Sequence, residues 1–146
     1  MSGRWLAMIA AIALTACTPG GAGQSGRTLT ALPDAWYPDF IELGSAIAIG
    51  RRCTGLTLND DAQQALFEQY VEEFLALGYV NFDSAALLRN LDEPRVRASF
   101  AEYLAANGVE RGDTAAVCGL GADEARSGTG VGKYLIVLNG AAASAS

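Results

Sequence analysis

Between Asn59 and Gly78 the chain carries its clearest periodicity. Leu66, Tyr70, Phe74 and Leu77 recur three or four residues apart, which places them on one face of an α-helix. Phe67, Val71 and Leu75 widen that stripe. Asn59 is suited to cap the helix, Asp60 and Asp61 to fill its first turn, and Gly78 to end it. A face this broad commits the chain to helices that pack against it.

The remaining segments extend the same reading. Leu32-Pro33-Asp34 leads into a first helix that starts near Pro38 and ends around Arg51-Arg52-Cys53, before Thr54-Gly55. Phe40, Leu43, Ile47 and Gly50 mark its inner face. The two arginines complement the dipole in its last turn rather than forming an anion site. Asp83 caps a third helix, with Phe82 and Leu87 as a hydrophobic staple and Arg89-Asn90 at its close. Asp92-Glu93-Pro94 starts a fourth, which buries Val96, Phe100, Tyr103 and Leu104 and stops at Asn107-Gly108. Asp113 caps a fifth, with Val117, Cys118 and Leu120 inward. Val131–Leu138 reads as a short last helix in preference to a strand, although Leu135-Ile136-Val137 is rich in β-branched side chains. The fold class expected is therefore all-α, with about five helices. The folded domain covers residues 33–138, and residues 139–146 form a frayed tail.

The N-terminus reads differently. Arg4 is followed by the apolar run Trp5–Leu14, well short of the roughly 20 residues that span a bilayer. Thr18-Pro19-Gly20-Gly21 then ends any helix. Leu14-Thr15-Ala16-Cys17 resembles the lipobox of a bacterial lipoprotein signal peptide, as against an ordinary secretory signal cut near Ala16. The resemblance implies that residues 1–16 are removed and that Cys17 is lipidated. Residues 17–32 are poor in large apolar side chains and read as a flexible tether to the membrane. Thr18, rather than aspartate, follows the cysteine. Under the sorting rules of such lipoproteins this implies the outer membrane, facing the periplasm.

Of three cysteines, Cys17 is then taken by lipid, which leaves Cys53 and Cys118 as a pair in an oxidising compartment. A disulfide between them is expected, since no C-x-x-C spacing supports a redox pair. Gly50 and Gly119 are expected beside it, giving room for close backbone approach. With signal and tether removed, about 110 of the 146 residues remain, one ordinary domain. Sixteen acidic against ten basic side chains give a net charge of −6. That balance argues against nucleic acid as a partner.

The run from Glu102 to Val109 resembles an uncharacterised family of small secreted alphaproteobacterial proteins, known only as a domain of unknown function. The likeness continues through Arg111-Gly112-Asp113, Cys118-Gly119-Leu120-Gly121, Glu124 and Gly128-Thr129-Gly130-Val131-Gly132. It would span about Phe40–Leu138, with Cys53 as the upstream cysteine of the pattern. It implies a helical, disulfide-closed fold and no activity.

Candidate chemistry is sparse. The chain has no histidine, which removes His-based triads, zinc hydrolase motifs and His-ligated haem. Gly128-Thr129-Gly130-Val131-Gly132-Lys133 fails as a phosphate loop. Ser127 stands where the first glycine is needed, and Tyr134 where Ser or Thr would bind magnesium. Glu68, Glu72 and Glu73 read as a solvated helix face, and Ser45, Ser84 and Ser99 lack an activating base. No catalytic, metal or cofactor residues are assigned, and neither nucleotide nor nucleic acid is expected to bind. The expected function is that of a lipid-anchored, non-catalytic protein that binds an envelope partner or maintains the envelope. The alternatives are a carboxylate-based enzyme acting on envelope polymers and a holdase-like chaperone.

Overall fold

The structure is a computed structural model, and it describes residues 30–79, 89–128 and 130–138. Four helices lie among them: α1 (Tyr37–Gly50), α2 (Asp60–Ala76), α3 (Glu93–Ala106) and α4 (Thr114–Ser127). The expected helix at Asp83 lies outside the described residues.

Three of the polar residues read as caps act as caps. The side chains of Asn59, Asp92 and Asp113 accept from the backbone N–H of Ala62, Arg95 and Ala116, at 3.2, 3.1 and 2.9 Å. Each satisfies one of the orphan donors at a helix start. Pro38 and Pro94 sit in the first turns of α1 and α3, where their missing N–H costs nothing. Gly128 closes α4 in a left-handed conformation, φ 68°.

The all-α expectation needs correction at the C-terminal end. Residues 130–134 form a tight 3-10 turn, and Leu135–Val137 is a strand, β2, instead of a helix. It pairs antiparallel with β1 (Leu56–Leu58), opposing Leu56 to Val137 and Leu58 to Leu135. Leu138 N–H to the Gly55 carbonyl and Asn59 N–H to the Tyr134 carbonyl extend the ladder at both ends. Neither strand is long enough to declare itself by alternation.

Helix α1 lies at the centre. It packs on α3, on β1, on α4 and on the Gly130–Tyr134 turn. Its buried face is wide, running from Tyr37 and Phe40 through Leu43 and Ala46 to Ile49. At its N-terminal end Arg95 ion-pairs with Asp34 at 2.6 Å and stacks 3.7 Å over the Tyr37 ring, fastening the start of α3. Leu32 is buried in the same core, so the folded part reaches one residue ahead of residue 33. Helix α2 meets α1 through side chains more than through close backbones. Trp36 contacts Tyr70 and Phe74 with ring centroids 4.6 and 4.2 Å apart, and Phe40 contacts Tyr70 at 5.0 Å. Of the stripe read from sequence, Leu66, Tyr70 and Phe74 are buried, while Leu75 and Leu77 face solvent. In α3 and α4 the inward sets are Val96, Phe100, Leu104 and Val117, Cys118; Leu120 is only half-buried.

Cys53 and Cys118 form a disulfide with Cα atoms 5.5 Å apart, and both are buried. The glycines around it are not the ones expected. A Cβ on Gly119 would meet nothing within 4 Å, and one on Gly50 only ordinary contacts. The close approach is at Gly121, where a Cβ would lie 2.5 Å from Ile49 Cγ2 and 2.8 Å from Leu56 Cδ1. Gly119 points outward because Cys118 and Gly121, three residues apart, occupy the inner face of the helix.

Candidate functional site

Two polar and apolar features converge on α1 and α2. The first is built from Asp39 and Glu42, one turn apart on α1, and from Lys133 and Tyr134 at the end of the 3-10 turn. Lys133 Nζ lies 2.7 Å from Glu42 Oε2 and 3.4 Å from Asp39 Oδ1. The Glu42 contact is an ion pair by distance without hydrogen-bond alignment. The other Asp39 oxygen accepts from Tyr70 OH at 2.6 Å. Lys133 also lies 4.9 Å from the centroid of the Tyr134 ring. All three charged groups are about one-third exposed.

The electrostatics follow. Burial by itself would lower the pKa of Lys133. Contact with Glu42 and Tyr134 outweighs it and raises the pKa above the ordinary lysine value. Burial, then the hydrogen bond to Asp39, pushes the Tyr70 phenol up. Tyr134 is likewise raised, chiefly by burial. The lysine is therefore a fixed cation, both phenols stay neutral, and Tyr70 donates to Asp39. This is a clamp joining α1, α2 and the turn. A cleft of about 300 Å³ opens beside it, between Asp39, Leu66, Lys133 and Tyr134.

The turn has little freedom to sit elsewhere. A Cβ on Gly132 would lie 1.8 Å from the carbonyl oxygen of Glu124, so the turn rests directly on the α4 backbone. Asn59 adds a second tie. While its Oδ1 caps α2, its Nδ2 donates to the Lys133 carbonyl at 3.1 Å. The residues that looked like a failed phosphate loop thus form a structural corner. Tyr103 and Glu124 meet nearby, where burial and the carboxylate raise the phenol's pKa.

The second feature is a groove of about 670 Å³ between α1 and α2. Leu43 and Ile47 line it from α1, Phe67 and Val71 from α2. The aromatic contacts of Trp36 and Phe40 with Tyr70 and Phe74 join the N-terminal end of α1 to the C-terminal half of α2. Arg51, Glu68 and Glu72 stand on the groove's rim.

The sequence-derived candidates fall as follows. Cys17 lies outside the described residues, as does Ser84. Arg51 lies just past the last residue of α1, so neither arginine belongs to its last turn. Arg52 turns toward α3, donating to the Arg111 carbonyl at 3.2 Å and lying 5.9 Å over the Phe100 ring. Glu68 and Glu73 accept from Gln64 and Gln69 at 2.8 and 3.1 Å along the exposed side of α2. Ser45 is fully buried, and its hydroxyl has no hydrogen-bond partner. Among the described residues no three acidic or thiol side chains gather as a metal site. Sequence reasoning missed the clamp, because Asp39 and Lys133 are 94 residues apart. It also missed the groove, whose apolar lining residues were read as parts of buried helix faces and whose glutamates were read as a solvated face; the excess width of the α2 stripe was the available signal.

A protein-family comparison matches residues 38–136, from the first turn of α1 to the middle of β2, to a family of unknown function, DUF5333. The chain belongs to the DUF5333 family. The matched range holds α1 to α4, both cysteines of the disulfide, the clamp and the groove, so the whole described site lies inside the DUF5333 domain. Comparison with curated proteins and with solved structures yields no match.

Proposed function

We propose that this DUF5333 protein is a lipid-anchored, non-catalytic domain of the bacterial envelope that binds a partner protein. In this reading residues 1–16 are a lipoprotein signal peptide and Cys17 carries the acyl chains. The tether then presents the folded domain to the periplasm from the outer membrane. The observation that carries the binding role is the α1–α2 groove, a concave apolar surface with a polar rim. A holdase would use the same groove without selectivity.

One observation favours a second reading. Asp39 and Glu42 converge beside the smaller cleft, where a carboxylate enzyme acting on envelope polymers would have to work. Both carboxylates are engaged by Lys133, and Asp39 also by Tyr70, which weakens that reading against the first.

Two measurements test the proposal. Labelled palmitate should enter the native protein and not Cys17→Ala; label retained by that variant removes the anchor. Cross-linking in the native envelope, followed by mass spectrometry, should recover a defined protein joined through α1 or α2. Adducts confined to the Asp39–Lys133 cleft, and formed with polymer instead of protein, would favour the enzyme.

A further inference from the structure

The groove has a charge pattern that narrows the partner. Helix α2 carries five acidic residues, Asp60, Asp61, Glu68, Glu72 and Glu73, and no lysine or arginine. Glu68 and Glu72 stand four residues apart on the rim, so they sit one above the other, about 6 Å apart. Glu68 is met by a neutral amide, Gln64. Among the described residues no cation lies within ion-pair distance of either glutamate. Arg51 also lines the groove but makes no ion pair with either glutamate. The apolar lining is Ile47 on α1, with Leu43 mostly buried one turn before it, and Phe67 with Val71 four residues apart on α2.

That pattern describes a third helix. An amphipathic helix lays apolar side chains at i, i+3 or i+4, and i+7 into such a groove. Its flank must carry positive charge where it passes Glu68 and Glu72, because like charges there would be desolvated against each other. A second copy of this chain fits poorly. A two-fold contact places the same patch against itself, and α2 would oppose its own glutamates. An anionic lipid surface is disfavoured by the same charges.

We infer that the α1–α2 groove receives an amphipathic helix of a partner protein, with lysine or arginine on the flank that meets Glu68 and Glu72. The inference rests on the partner-binding reading above and gives that partner its chemistry.

The test uses the full-length protein and two labelled synthetic helices of about 18 residues, five turns long. Both carry leucines at groove spacing; one has lysines at the remaining positions and the other glutamates. By fluorescence anisotropy the lysine helix should bind at least about tenfold more tightly than the glutamate helix, a difference of about 1.4 kcal/mol. The double variant Glu68→Lys/Glu72→Lys should weaken the lysine helix by about tenfold or more, while Glu102→Lys/Glu110→Lys, the same charge change away from the groove, should leave it within about twofold. Circular dichroism of each variant checks that the fold is kept. Equal loss in both double variants would mean unspecific attraction and overturn the inference. So would equal binding of the two helices, or a dimer in sedimentation that the groove variant dissolves. A photo-cross-linker at Val71 in the native envelope separates the two levels of the argument. An adduct with an identified protein whose joined segment is not a basic amphipathic helix ends the inference and leaves partner binding standing. No adduct from Val71 or from any other exposed position ends both.

Discussion

At the scale of single residues, two glycines two positions apart in α4 make opposite predictions. Gly119 is exposed in a helix interior with open space at its Cβ position. Gly119→Ala should stabilise the protein by up to about 1 kcal/mol, the ordinary helix-propensity difference. Gly121 is buried, and its missing Cβ is the space into which Ile49 and Leu56 pack. Gly121→Ala gains the same propensity but forces both side chains away, and should destabilise by about 1–3 kcal/mol. Thermal unfolding followed by circular dichroism measures both; a common sign for the two changes would refute this packing of α4 on α1 and β1. The composition Cys-Gly-Leu-Gly told that something approached closely, but which glycine it was depended on the rotation of the helix.

At the scale of elements, the clamp on Lys133 determines how α1, α2 and the C-terminal turn stay together. Lys133→Met leaves Asp39 and Glu42 facing each other without a cation. Because the groups are about one-third exposed, solvent screens much of the effect, and a loss of about 1 kcal/mol is expected. The pH dependence has a definite sign. Lys133 and Tyr70 both have folded-state pKa values raised above their ordinary values. A raised pKa contributes stability that is complete below the unfolded value and lost as pH climbs toward the folded one. The unfolded values lie at about 10 for both groups, so stability should hold across neutral pH and fall above about pH 10. Tyr70→Phe should make that alkaline fall shallower in denaturant titrations at several pH values. An unchanged slope would show that Tyr70 does not contribute through its hydroxyl.

At the scale of the whole molecule, the Cys53–Cys118 bridge closes a loop spanning 65 residues that contains α2 and α3. Cys53→Ser should cost about 4 kcal/mol through the added entropy of the unfolded chain, measured by urea unfolding against the oxidised native protein. Non-reducing mass mapping that found both thiols free in the native protein would remove the bridge and the constraint together. The sequence alone determined the locally encoded features. These are the caps at Asn59, Asp92 and Asp113, the helices that follow them, the prolines in first turns and the pairing of the two cysteines, each resting on residues within a turn of one another or on simple counting. Only the tertiary structure decided the rest. The pairing of β1 with β2 joins two three-residue strands from distant parts of the chain, and Leu135–Val137 takes the strand form because Leu56–Leu58 supplies the hydrogen bonds a lone segment lacks. The clamp unites Asp39, Tyr70 and Lys133 across most of the domain. The groove lies where Ile47 of α1 and Phe67 and Val71 of α2 face a space that their side chains do not fill. No periodicity records how far apart two helices come to rest, since that distance is set by side chains meeting in space.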